Sequence, residues 1–360
     1  MSERPHPTRS TPQLEQGRGS PINPPSRFER IVWEPDPEFA PDDGAVETVF
    51  FDDPTRQILS TNDSPDVPFK TSVNPYRGCE HGCSYCFARP THEYLGYSAG
   101  LDFETRIMVK RNAPALLRGE LASKRWEPQV VVMSGVTDPY QPIEKKLQIT
   151  RGCLEVLAEA RNPVGVITKN HLVTRDIDHL AELARHQAAR VFLSITTLDP
   201  ALANRMEPRA STPEKRLEAV RKLTDAGIPV GVMVAPVVPG ITDHEMPRIL
   251  EAAAEAGACS AGFVILRLPW SVGPVFEAWL DMHFPDRKEK VLNRVRSMRD
   301  GKLYDSRWKH RQRGEGVFAE QIGALFRTSV RRFGLDRPET PWSTAAFRKP
   351  PGDQLTLFGG

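Results

Sequence analysis

Cysteine is scarce in this chain: 360 residues contain five. So small and odd a number is a poor fit to a disulfide-stapled framework. Long apolar runs are missing as well. The longest nearly unbroken one, VGVMVAPVVPGI at 230–241, is twelve residues with two prolines, too short to span a bilayer. The opening MSERPHPTRSTPQLEQ holds no apolar core of the signal-peptide kind, so a soluble cytoplasmic protein is expected. Charge of either sign is not in large excess: the net charge is +2 and the pI about 8.3. Global charge therefore offers no reason to expect a polyanionic partner. No internal repeat is visible.

What the chain does have in quantity is proline at its start, with nine in the first 41 residues. A segment of this composition cannot bury enough apolar surface to offset the entropy of ordering, so residues 1–45 are expected to form a disordered tail. The end, DRPETPWSTAAFRKPPGDQLTLFGG, suggests a second flexible tail over 336–360. Between them short apolar runs recur at 130–135, 164–168, 190–196, 229–236 and 261–268, and one more strand is expected near Ser72–Tyr76. Helical spacing fills the gaps, over Ile143–Ala160, Arg175–Gln187, Pro213–Ala226 and His244–Ala256. Gly227 and Gly257 follow two of these helices, where a left-handed cap would sit. Continuous β-branched runs suit strands buried on both faces of a parallel sheet. About six βα units make an α/β fold of partial-barrel type, short of the eight of a closed barrel. The core is expected over 46–275 and a basic helical extension over 276–335.

Three of the five cysteines fall together in NPYRGCEHGCSYCFAR (74–89), at Cys79, Cys83 and Cys86. In a reducing compartment such a cluster points to metal or catalysis before disulfides. They follow the first predicted strand of the core, on the face where parallel α/β folds bind ligands. Zinc would need a fourth ligand, with His81 and His92 at hand. An iron–sulfur cluster held by three thiolates keeps one iron open for another group.

CEHGCSYC, just after a strand that opens a run of βα units, resembles the signature of the radical S-adenosylmethionine (radical SAM) superfamily. The resemblance implies that Cys79, Cys83 and Cys86 hold a 4Fe-4S cluster and that S-adenosylmethionine chelates the fourth iron. It also implies cleavage of that cofactor to a 5′-deoxyadenosyl radical, with an external one-electron donor, and places Tyr85 near the adenine. Over about residues 70–335 the chain is similar to the subgroup related to spore photoproduct lyase, through VTDPYQPIEKK (136–146), ITKN (167–170) and SITTLDPALANRMEPRASTPEKR (194–216). On this reading Ser134, Gly135, Asp138, Lys169, Ser194 and Arg209 are candidates for binding the cofactor. Ser134 and Lys169 would meet its carboxylate, Asp138 its ammonium and Ser194 its ribose or carboxylate. Each also has a plainer role available as a strand end, turn or local pair. The lyase uses a cysteine near the end of the second core strand, where this chain reads VVVMSG. That departure argues against photoproduct repair itself. It leaves Cys153 as a weak candidate hydrogen donor, the alternative being packing as a small hydrophobe.

Two features point towards nucleic acid. Residues 286–313 carry eleven Lys or Arg against four Asp or Glu. Arg294, Arg299, Arg307, Lys309 and Arg311 interleave there with Tyr304 and Trp308, a pattern suited to a phosphate backbone with stacked bases. The terminal DQLTLF resembles the short peptide that docks on the bacterial sliding clamp, with Gln354, Leu355, Leu357 and Phe358 as its anchors. A macromolecular substrate is expected, DNA foremost and a protein or peptide as the alternative. The rival from another class is a zinc-stabilised nucleic-acid-binding module without catalysis.

Overall fold

The computed structural model describes residues 17–28, 47–338 and 340–351. Strands β1 (Val49–Asp52) and β2 (Leu59–Thr61) precede β3 (Thr71–Val73) and β4 (Tyr76–Arg77). A short helix α1 (Asp102–Thr105) leads into β5 (Arg106–Val109) and α2 (Ala113–Ala122). Strand and helix then alternate: β6 (Val131–Met133), α3 (Glu144–Leu147) and α4 (Ile149–Ala160), β7 (Val164–Thr168), α5 (Ile177–Ala184), β8 (Ala189–Ser194). The series continues through α6 (Pro200–Met206) and α7 (Pro213–Asp225), β9 (Val230–Val237), α8 (Met246–Glu255) and β10 (Ser260–Ile265). Helices α9 (Val272–His283), α10 (Lys288–Ser297), α11 (His310–Arg313) and α12 (Gly316–Arg332) follow.

The main sheet runs β10-β9-β8-β7-β6-β3-β2. All its pairs are parallel except β2 with β3, so six parallel strands carry the partial barrel. β7, β8 and β9 are buried almost throughout, as continuous Val, Ile and Leu runs require when helices and interior cover both faces. The helices α4, α5, α7 and α8 send their apolar stripes into the same core as the strands. Among the described residues no helix is long and apolar enough to cross a membrane.

Four expected elements differ in detail. The strand expected over Ser72–Tyr76 is split: β3 ends at Val73, and Tyr76 belongs to β4, which pairs with β5 in a separate three-stranded sheet. The helix expected over Ile143–Ala160 breaks at Gln148, whose φ of 54° is left-handed. Ahead of α5, residues His171–Asp176 wind as a 3-10 segment whose start is capped by the Asn170 side chain at Leu172 N. A shorter 3-10 turn, Asp243–Glu245, likewise precedes α8. Gly227 and Gly257 take left-handed φ values of 76° and 98° at the ends of α7 and α8.

Parts of both proline-rich ends are packed on the barrel. At the front, Gly19 N donates to Glu104 Oε2 at 3.0 Å and Ser98 Oγ donates to the Pro24 carbonyl at 2.5 Å. At the back, Ser343 N donates to the Gln187 carbonyl and Arg348 N to that of Ala160. These segments are held by backbone hydrogen bonds and close approach, which composition alone does not register.

Candidate functional site

The cysteine loop leaves β4 and folds back over the strand ends. Cys79 and Cys83 are buried, Cys86 is half-buried, and none is in a disulfide. Gly82, between the first two, has φ 64°, and any Cβ there would strike the Glu104 carboxylate. Glycine in this turn is thus required twice over, by conformation and by space. The loop is pinned at both ends. Cys79 N donates to the Phe103 carbonyl at 2.9 Å, and Arg89 donates through Nε to the Cys83 carbonyl at 2.9 Å while pairing with Glu104.

A second clamp comes from the DPYQP stretch. Gln141 accepts from Glu80 N at 3.0 Å and donates to the Gly78 carbonyl at 3.3 Å. Glu80 in turn accepts from Ile143 N at 2.7 Å and pairs with Arg209 at 3.2 Å. Neither Glu80 nor Gln141 was singled out from sequence. The signal was present, since both lie inside the quoted motifs.

Burial raises all three thiols. Cys79 is pushed further by Asp138, Cys83 and Cys86, and Cys83 further by Glu207. Cations oppose this: Lys169 and Arg216 act on Cys83, Arg89 and Lys169 on Cys86. Three thiols that feel one another among cations, with an iron to displace their protons, match the donor set of a cluster. Among the described residues no three His, Cys, Asp or Glu are grouped to hold a single metal ion. The histidines expected as a fourth zinc ligand are held elsewhere. His81 faces Asp138 at 3.4 Å and Asn170 at 3.2 Å. His92 lies edge-on to Phe103 and beside Tyr97, with burial pushing its imidazole down to about 4.

The remaining candidates divide. Ser134 and Gly135 do sit at the end of β6, with φ of 98° and 122°. A left-handed serine beside a left-handed glycine is a strained strand end of the kind found at functional sites, and a Cβ at Gly135 meets nothing nearer than 3.7 Å. Ser194 ends β8, buried, and its carbonyl accepts from Arg216 at 2.9 Å. Asp138 does not stand free for an ammonium. Its oxygens accept from Thr168 Oγ1 at 2.7 Å, Lys169 N at 2.8 Å and Tyr140 N at 2.9 Å, and His81 faces it. The carboxylate ties the ends of β6 and β7 together. Arg209 is committed to Glu80 and, at 3.5 Å, to Thr48, partners distant in sequence rather than the local pair expected of a loop arginine.

Lys169 and Tyr85 meet at a group the sequence reading missed, Glu207, and Ser194 is linked to it only through Arg216. Fully buried, it accepts from the Tyr85 hydroxyl, from Thr196 Oγ1 at 2.6 Å and from Arg216, with Lys169 Nζ 3.2 Å away. Arg216 first and Lys169 second hold its carboxyl far below the usual range against the opposing effect of burial. Two cations around one carboxylate leave this hub one positive charge, which the ionised Asp138 carboxylate at the same strand ends balances. Tyr85 is accordingly anchored by its hydroxyl, with the Lys169 ammonium 5.6 Å above its ring. Only the pairing of Glu207 with Arg216 across the turn between α6 and α7 brings this hub together, and neither residue is unusual in sequence.

Other expectations are redirected. Cys153 is fully buried in the apolar core on α4, the packing of a small hydrophobe. Of the basic stripe, Arg299 is buried and donates to the carbonyls of Leu266 and Arg311. Arg311 pairs with Asp66, Arg294 with Asp243 and Arg307 with Asp305. Trp308 and Lys309 remain exposed and Tyr304 packs beside Trp270. Gln354, Leu355, Leu357 and Phe358 lie outside the described residues.

A six-stranded parallel partial barrel with three free cysteines in the loop after its first strand defines a class, and the comparisons agree. The family model for the Radical SAM superfamily matches residues 73–253, and an uncharacterized protein of Mycobacterium tuberculosis (strain ATCC 25618 / H37Rv) is 35% identical over 81% of this chain and 83% of its own. The chain belongs to the radical SAM superfamily. Spore photoproduct lyase of Bacillus subtilis (strain 168) is 26% identical over 48% of this chain and 45% of the lyase. A lyase structure complexed with dinucleoside spore photoproduct superposes with a TM-score of 0.57 at 18% identity, covering 79% of each chain. That likeness establishes the shared fold. The cofactors of the family are a 4Fe-4S cluster and S-adenosylmethionine, and the three thiols and surrounding cations of this chain fit them.

Proposed function

We propose that Cys79, Cys83 and Cys86 bind three irons of a 4Fe-4S cluster, that S-adenosylmethionine takes the fourth, and that the substrate is a nucleic acid. The observation that carries the cofactor part is three free, mutually interacting thiols on the strand-end face, clamped by Gln141, Glu80 and Arg89. Bound there, the group supplies one-electron cleavage of S-adenosylmethionine to a hydrogen-abstracting 5′-deoxyadenosyl radical.

The chain's own residues supply position and charge. Gln141 and Glu80 fix the backbone around Cys79, so that loop geometry does not have to be assembled when iron arrives. Ser134 and Gly135 offer a strained strand end, partly exposed and lined by Ser72, for the methionine part of the cofactor. The part-buried Lys169 ammonium is the cation that would meet the cofactor's carboxylate at this end of the barrel. Support for nucleic acid comes from the exposed Trp308 and Lys309 in the turn before α11 and from the likeness to a lyase solved with a dinucleoside. A cytoplasmic setting, an external one-electron donor and docking of residues 354–358 on a sliding clamp belong to the same reading.

The test is anaerobic reconstitution with iron and sulfide, then reduction with S-adenosylmethionine and quantification of 5′-deoxyadenosine. The native chain is expected to form it and Cys83→Ala to form none. Equal product from both, or bound zinc with no labile sulfide, overturns the reading.

A further inference from the structure

Several aromatic side chains that a soluble fold has reason to bury stand in solvent beside the cysteine loop. Phe87, the residue after Cys86, is 47% exposed, Trp270 56%, Phe28 56% and Tyr94 72%. They form a connected belt. The Arg267 guanidinium lies 4.9 Å over the Phe87 ring. Tyr304 lies near enough to Arg267 to act on it electrostatically, and its ring packs 5.7 Å from Trp270. Arg27 sits 4.3 Å over the other part of the belt, on Trp270, and 5.2 Å over Phe28, which packs 4.9 Å from Tyr94.

Three details separate this belt from scattered surface apolar residues, which need no explanation. Trp270 holds φ 45°, a conformation bulky residues rarely adopt, in the segment after β10 where ligand-binding loops of this architecture lie. Arg267 is half-buried, yet its Nε has no partner among the described residues. The cations also outnumber the anions: Arg27, Arg267, Lys309 and Arg311 stand against Glu93, which pairs with Arg27, and Asp66, which takes Arg311 and Lys309 N.

We infer that this belt is a stacking platform for unpaired nucleotides, so that the enzyme engages single-stranded nucleic acid rather than an intact duplex. The inference deepens the proposed nucleic-acid substrate and rests on it. Flat rings interleaved with guanidinium groups match nucleobase faces alternating with phosphates, which is how sequence-tolerant single-strand sites are built. In a duplex the base faces are already stacked on one another, leaving such rings nothing to cover. The platform begins one residue beyond Cys86, so a base stacked on Phe87 lies next to the cysteine loop.

The experiment measures fluorescence anisotropy of a labelled DNA oligonucleotide of about 12 nucleotides, single-stranded and as duplex, with the full-length reconstituted protein. Single strands are expected to bind more tightly than duplex. Trp270→Ala and Phe87→Ala are each expected to weaken single-strand binding about tenfold, with Trp270→Tyr retaining most of it and Leu325→Ala on α12 unchanged. Both aromatics are exposed, and matching urea midpoints confirm that the variants fold. Equal affinity for single strand and duplex, or alanine variants that bind like the native chain, overturns the inference. Measuring 5′-deoxyadenosine on the same samples separates the two readings. Cofactor cleavage without oligonucleotide binding removes the platform and leaves the radical chemistry standing. Binding that depends on Trp270 without cleavage supports the platform and removes the radical reading.

Discussion

Glu207 shows how much a single buried residue organises here. Its carboxylate satisfies Tyr85, Thr196, Lys169 and Arg216 at once, and Arg216 is itself fully buried. A buried pair of this kind is costly to break from one side, because the surviving charge keeps its desolvation penalty and loses its partner. Glu207→Gln preserves shape and removes the charge, leaving Lys169 and Arg216 facing a neutral amide. The expected loss is about 3–5 kcal/mol, read as a lower urea midpoint at unchanged m. A midpoint equal to that of the native chain would show that the network contributes little to stability. The same residue also places Tyr85 and Lys169, two candidates for cofactor contact, so their positions report on a group that is shielded from solvent and holds the cysteine loop through the Tyr85 hydroxyl.

At the scale of elements, the cysteine loop is shaped by a segment far away in sequence. Gly19 lies directly against the loop: a Cβ built there would fall 1.5 Å from the Gly82 carbonyl oxygen, a backbone atom that cannot swing aside. The flanking Arg18 bonds the Glu104 carbonyl at 3.3 Å and Thr48 Oγ1 at 3.0 Å. Residues 17–28 therefore act as a strap over the turn that carries Cys79 and Cys83. Gly19→Ala is expected to lift this strap, raise hydrogen exchange at residues 78–86 and lower the iron retained per chain after reconstitution. Native exchange in that loop with full iron content would show that the strap is dispensable.

For the whole molecule, the far end of the chain closes the opposite side of the barrel. Thr340 accepts from Arg190 at 2.7 Å, the Arg190 guanidinium stacks 4.7 Å over Trp342, and Trp342 approaches the face of β7 at Gly165. A Cβ at Gly165 would meet the indole at 3.8 Å, an ordinary van der Waals contact. Trp342→Ala removes the cation–π contact and its packing, with an expected cost of about 1–2 kcal/mol, measurable by urea denaturation. No change in midpoint would mean that residues 340–351 merely lie on the surface.

Much of this was legible in sequence because it depends on local chemistry. The run VGVIT is β7 residue for residue, and the periodic segments after it are α5, α7 and α8, because burial on both faces or along one stripe imposes its own spacing on the chain. The three cysteines declare themselves through proximity in a chain otherwise poor in them. Other features were decided only when distant segments met. Glu207 and Arg216 look like ordinary helix-flanking charges until the turn between α6 and α7 folds them under Tyr85. Asp138 looks like a free acid until β7 brings Thr168 and Lys169 to it. Arg299 looks like surface charge until its guanidinium is drawn beneath β10. Proline-rich composition pointed to tails, yet residues 17–28 and 340–351 pack by backbone bonds and close approach, interactions that leave no periodic trace. Residue type and local spacing decide which groups can do chemistry. The partners that remain free to do it are decided by which elements the tertiary structure brings within a few ångströms, where desolvation and charge pairing act.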